Sequence, residues 1–205
     1  MRRCHPDADS LPGEPSGRKL RLFACACARR VWPLFQADVF RRAVELAERL
    51  ADGDVTDRDR AVLERKCEGL NPRATWNAAA ATATYCLRSS APRAAWCASH
   101  AAARAESGAD EGAVRSAALR RQTDLARDIF GNPFRPVSLD PLWHTFDVQA
   151  LGRGIYDARD FSAMPILADA LQDAGCNNDD ILNHCRGPGP HVRGCWVCDL
   201  VLGKE

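Results

Sequence analysis

The sequence predicts an all-α protein, a compact bundle of about eight to ten helices with one proline-rich extended segment near residues 131–146. Three observations lead there. Of 205 residues, 34 are Ala, whereas Val, Ile and Thr together number 21, a composition that favours helix over strand. Apolar residues recur at the three-and-four spacing of amphipathic helices along most of the chain. No segment alternates apolar and polar residues between turn signals, as a strand would. The length allows a sizeable core, and no apolar run reaches the roughly 18 residues that would mark a membrane span.

Residues 1–17, with Pro6, Pro12, Pro15 and few apolar groups, read as a disordered tail. From Arg18 a stripe forms through Leu20, Phe23, Ala24, Cys27, Val31, Leu34 and Phe35, with Cys25 off it; Pro33 places an end or kink near Trp32. A second helix spans Asp38 to about Ala51 through Val39, Phe40, Ala43, Val44, Ala47 and Leu50, with Gly53 as its stop. Thr56 is the expected N-cap of a third, with Asp57 and Asp59 in its first turn and Val62, Leu63, Cys67 and Leu70 inward.

The one internal repeat is Pro72-Arg73-Ala74-Thr75-Trp76, which returns twenty residues later as Pro92-Arg93-Ala94-Ala95-Trp96. Proline in the first turn predicts two helices, packed closely through alanines, with each Trp sealing an end. A longer helix runs from Asp110 or Glu111 to Phe130, with Val114, Ala117, Ala118, Leu125 and Ile129 inward and Gly131 ending it. Pro133, Pro136 and Pro141 forbid continuous helix over 131–146. Phe134, Leu139, Leu142, Trp143 and Phe146 make that stretch too apolar for a solvated linker, so a strap pinned across the helices is expected.

Further helices fall at 147–159 (Val148, Leu151, Ile155, Tyr156) and 164–174 (Met164, Leu167, Ala168, Leu171). Another starts at Asn177 or Asn178 and carries Ile181, Leu182 and Cys185. Gly187-Pro188-Gly189-Pro190 breaks the chain before a final segment with Trp196, Val197, Leu200 and Val201. The expected organisation is a tail (1–17), an Ala-rich helical body (18–130), and an extended segment with C-terminal helices (131–205) packed on that body as one domain.

The charge is balanced overall at +1, which excludes a strongly basic nucleic-acid binder as the dominant theme. Ten basic against six acidic groups in residues 1–50 face five against ten in residues 136–205. Arg supplies 25 of the 28 basic residues, interleaved with acids as on solvated helix faces. The first apolar run, Leu20 to Ala28, contains Arg21 and follows a polar stretch. Leu22-Phe23-Ala24-Cys25 therefore lacks the apolar core of a secretion signal. The expectation is a cytoplasmic chain whose ten cysteines are reduced and mostly buried as small hydrophobes.

Three stretches carry a resemblance: Arg18 to Cys27 (RKLRLFACAC), Arg127 to Pro136 (RDIFGNPFRP) and His184 to Trp196 (HCRGPGPHVRGCW). The chain from Arg18 to Glu205 resembles a family of short bacterial hypothetical proteins, present in many copies per genome and without an assigned activity. The resemblance implies a self-contained module and carries over no active residue. Its pattern has an aliphatic residue where this chain has Cys198, which puts in doubt any site that depends on that thiol.

The strongest chemical cluster is C-terminal: Cys176, His184, Cys185, His191, Cys195 and Cys198. Thiolates and imidazoles suit tetrahedral zinc, and Cys195-x-x-Cys198 is a ligand-like pair. Cys185, His191, Cys195 and Cys198 are thus a candidate four-ligand set, with the Pro-Gly turn joining its halves. A second CxxC pair is missing, so the same residues also read as buried thiols with His191 as a hydrogen-bonding group. The βαβ setting of a redox CxxC is absent. His184 and Cys185 point to different sides of a helix and cannot form a nucleophile–base pair. Arg29-Arg30 and Arg41-Arg42 around Trp32 and Phe35 are compatible with phosphate contact and base stacking. No phosphate loop, nucleophile elbow or HExxH pattern occurs. The first expectation is a non-enzymatic module acting through an unidentified protein partner, with no cofactor. The alternatives are a structural zinc domain and an Arg-based nucleic-acid binder.

Overall fold

The computed structural model describes residues 15–70, 77–108 and 112–204. Among these the chain forms ten α-helices and no strand. They are α1 (Gly17–Arg30), α2 (Asp38–Ala51), α3 (Asp57–Gly69), α4 (Ala78–Tyr85), α5 (Ala91–Ser107), α6 (Ala113–Phe130), α7 (Phe146–Ala158), α8 (Met164–Asp173), α9 (Asp179–Arg186) and α10 (Trp196–Leu202). The all-α expectation holds. Local chemistry sets several boundaries: Ser16 caps α1, Thr56 and Asp59 form a reciprocal capping box on α3, and Asn178 caps α9. Of the expected tail, residues 1–14 lie outside the described residues, whereas Ser16 and Gly17 belong to the start of α1.

Two apolar cores organise the molecule. The first gathers α1 to α6 around residues such as Cys27, Phe40, Val44, Leu87 and Ile129. The second gathers α7 to α10 around Met164, Leu167, Leu171, Ile181 and Val197. Helix α1 packs against α2, α4, α5 and α6. With neighbours on every side, Leu22, Ala24, Cys25, Ala26, Cys27 and Ala28 are all buried. The stripe expected to leave Cys25 aside is therefore corrected, because small Ala and Cys side chains let four helices close in on one. Arg21, also buried, donates to the carbonyls of Cys86, Arg88 and Ser89 at 2.8–3.1 Å, which satisfies the end of α4.

Other expected core positions turn outward. Val62, Leu70 and Val114 are exposed, because α3 offers Arg60 and Cys67 to the interior and α6 offers Ala118, Gln122, Leu125, Asp128 and Ile129. The first copy of the Pro-Arg-Ala repeat, with Trp76, lies outside the described residues. Trp96 seals nothing: Ala94, Ala95, Ala98 and Ala102 form the buried face of α5, and the indole stands outside against His100. The strap is pinned by Val137, Leu139 and Trp143 against the second core. Phe134, Leu142 and Phe146 instead face outward at 91%, 80% and 84% exposure. Among the described residues no helix is long and apolar enough to cross a membrane, and the nine described cysteines are free thiols.

A polar seam joins the two cores. Arg18 donates through Nε to Asp52 (3.0 Å) and through Nη1 to Asp199 (2.7 Å), and both carboxylates are only 2% exposed. Tyr156, Arg193 and Lys204 complete the group around Asp52. Beside it, Gly194 brings the loop before α10 onto α1: its φ is +95°, and a β-carbon there would lie 2.9 Å from Leu22 Cδ1.

Candidate metal centre

Asp128, His184, His191 and Cys195 converge at the edge of this seam. In α6, Leu125, Asp128 and Ile129 share the buried face, so the fold of the helix carries a carboxylate inward. In α9, Ile181 and Cys185 anchor the apolar face one turn apart, and His184 stands on its flank. Helix α9 stops at Gly187, and the turn through Gly189 returns the chain. Gly189 has φ +78°, and a β-carbon there would crowd the His191 amide nitrogen at 2.8 Å. Asp128 then receives the backbone N–H of Val192 at 2.9 Å, which fixes the loop on α6. Cys195 follows as the N-cap residue of α10.

One donor atom from each of the four residues lies within 4.8 Å of the others. His191 Nδ1 is 2.9 Å from Asp128 Oδ1, and His184 Nε2 is 3.2 Å from the same oxygen and 3.1 Å from Cys195 Sγ. The imidazole rings meet edge-on with centroids 4.8 Å apart. Trp196 Nε1 donates to His184 Nδ1 at 3.0 Å. Asp128 and Cys195 are buried, and both imidazoles are largely so.

The electrostatics follow from that burial. Desolvation pushes the Cys195 thiol well above its ordinary range, and the two imidazoles offset this only in part. Burial would raise Asp128, but hydrogen bonds from His184 and His191 hold it below the usual carboxylate range. Burial disfavours imidazolium at both histidines. Asp128 and Cys195 nonetheless draw His191 up to about 10 and His184 up to about 9. The Trp196 N–H opposes the latter, because an indole only donates and a second ring proton on Nδ1 would face it. His191 is accordingly the better holder of the positive charge that balances Asp128.

The expected four-ligand set was Cys185, His191, Cys195 and Cys198. The structure brings His191 and Cys195 together and leaves Cys185 and Cys198 outside the group. Cys185 is buried in the second core, and Cys198 Sγ contacts Met164 Sδ at 3.4 Å. The spacing within CxxC places its second thiol on the inward face of α10, which the core occupies. Cys176 is likewise core. Spacing alone could not have found Asp128, 56 positions before His184. Its one signal is an acid flanked by Leu125 and Ile129 on an apolar stripe.

Comparison with protein families, curated proteins and solved structures finds no match. Fold and cluster together define an all-helical protein with a candidate metal centre of one carboxylate, two imidazoles and one thiol.

Proposed function

We propose that this chain is a non-catalytic helical module whose two cores are stapled by one structural zinc ion. The observation that carries the reading is the convergence of Asp128, His184, His191 and Cys195 from α6, α9, the returning loop and the start of α10. Nitrogen, oxygen and thiolate sulfur are the donors zinc takes in tetrahedral sites. Bond lengths of about 2.0–2.3 Å put tetrahedral donors about 3.3–3.6 Å apart. Three of the six donor separations, 2.9–3.2 Å, lie within about half an ångström of that spacing, and all four donors lie within 4.8 Å of one another. Four protein donors leave no position for a substrate or reactive water, which makes the ion structural. Zinc would take Cys195 as thiolate and release its proton. Zinc on His184 Nε2 would leave the ring proton on Nδ1, and the Trp196 N–H would have to give up that nitrogen.

Cobalt titration of the reduced, metal-free protein tests this. The expected result is a thiolate-to-cobalt charge-transfer band that Cys195→Ser removes and Cys185→Ser keeps, with displacement of cobalt by zinc. A spectrum without that band at millimolar cobalt overturns the reading.

Action through protein contact is supported by the outward Phe134, Leu142 and Phe146, large apolar groups within thirteen residues of one another. The paired variant Phe134→Ser, Phe146→Ser should lower binding of an apolar surface dye without changing stability; unchanged dye binding contradicts an accessible contact patch. Phosphate recognition through residues 18–42 has less support. Arg18, Arg29 and Arg30 are held by internal carboxylates and Arg21 and Arg41 by carbonyls, so no contiguous free basic face forms from them.

A further inference from the structure

Between the two cores lies a pocket of about 280 Å³ that shares only His191 with the candidate metal centre. Arg29, Arg159 and Arg193 contribute three guanidinium groups to its walls, against the single carboxylate of Glu48. Glu48 is buried and already accepts from Arg29 Nε (2.8 Å), Arg29 Nη2 (2.9 Å) and Arg159 Nη2. Behind Arg193, Asp52 is shared with Arg18 and Lys204, and Asp199 with Arg18 and Lys19. Six cationic side chains thus surround three carboxylates along the pocket and seam. Such an excess in a sheltered crevice attracts an anion.

Two polar atoms of the lining residues add direction. Arg159 Nε and His191 Nε2 are both buried without a hydrogen-bond partner. The His191 side chain is nine-tenths buried, and its other nitrogen is engaged by Asp128. An unmatched buried donor on a guanidinium is unusual, since such groups normally find an acceptor. Arg159 also sits at φ 54°, the left-handed region that side chains other than Asn and Asp rarely adopt. That backbone carries a long cationic side chain back over Glu48 and into the pocket wall. Leu22, Phe161 and Val192 add apolar surface to the same lining.

We propose that this pocket binds a small organic anion, a carboxylate or phosphate monoester with an apolar substituent. Its oxygens lie on Arg159 Nε and on the Nη1 groups of Arg29 and Arg193, whose Nε and Nη2 are taken by Glu48 and Asp52, and its apolar part on Leu22 and Phe161. Single guanidinium N–H donors from these arginines suit the oxygens of either headgroup in charge and geometry. The pocket volume limits the ligand to a small molecule. The arginine contacts, not His191, carry the proposal, so it stands apart from the zinc reading.

Calorimetric titration with benzoate and with phenyl phosphate, at constant chloride, tests the proposal on both zinc-loaded and chelator-treated protein. The expected result is saturable binding of at least one probe in both preparations. The tighter probe identifies the headgroup class. Arg159→Lys, which keeps the charge beside Glu48 but lacks the Nε–H fork, should weaken binding about tenfold or more. Arg159→Asn, suited to the left-handed backbone, serves the same purpose should the lysine variant fold poorly. No saturable binding at millimolar probe, or equal binding by the folded variants, overturns it. Failure of zinc binding would show separately, in the metal content of the zinc-loaded preparation.

Discussion

Tyr156 Oη donates to Asp52 at 2.8 Å across the boundary between the two apolar cores. The same hydroxyl accepts from Arg18 Nη2 at 2.7 Å, and the Arg193 guanidinium lies 4.5 Å over the ring. The second core is thus attached to the first through a satisfied polar network as well as through apolar contact. Buried charges tolerate such a place only when every partner is present.

Removing that hydroxyl should be felt at once. Tyr156→Phe leaves Asp52 and Arg18 each one partner short, and a loss of about 1–3 kcal/mol is expected from urea denaturation. A change within a few tenths would show that water replaces the hydroxyl freely.

Acid should act through Asp52. Burial would raise its pKa, but Tyr156, Arg18, Arg193 and Lys204 hold it below the ordinary value. A carboxylate lowered in the folded state contributes stability that is fully present above its unfolded pKa of about 3.9 and fades as pH falls through the folded value. The stability gap between wild type and Asp52→Asn should therefore be constant from pH 7 to about 5 and shrink below pH 4. A gap that grows towards low pH contradicts the shift.

Burial should separate two ion pairs that look alike in sequence. Asp199→Ala takes a buried carboxylate from Arg18, which keeps Asp52, and from Lys19, which keeps the Ile129 carbonyl, and should cost about 3 kcal/mol. Asp169→Ala removes only an exposed partner of Arg186, worth about 1 kcal/mol or less. Equal losses, measured by thermal or urea unfolding, would mean the seam is solvated.

Gly194→Ala tests the approach of the last loop to α1. A β-carbon at φ +95° lies 2.9 Å from Leu22 Cδ1, so strain and overpacking should together cost about 1–3 kcal/mol. Leu22→Ala in the same chain should recover part of that loss, visible as non-additivity in a double-mutant cycle.

The parts of the fold legible in the sequence are those set by neighbours along the chain. The periodicity of α2, the N-cap at Thr56 and the start signal at Asn177 or Asn178 all act within a few residues, and each helix appears where they place it. The surroundings of α1 were not legible, because an Ala- and Cys-rich helix reads as one-sided until four helices cover it. The seam was invisible for a related reason: Arg18 and Asp199 are 181 positions apart, and no local pattern links them. In the candidate centre, His191 and Cys195 stood out by residue type. Asp128 did not, and the CxxC spacing drew in Cys198, which the second core absorbs.

The most direct test of the zinc staple is the metal content of protein purified without added metal or a metal-binding tag. About one zinc per chain is expected, lost in Asp128→Ala, His184→Ala and Cys195→Ser but retained in Cys185→Ser and Cys198→Ser. Reduced wild-type protein that carries no zinc and takes none up on addition, or zinc lost with Cys198→Ser and kept with Asp128→Ala, would contradict it.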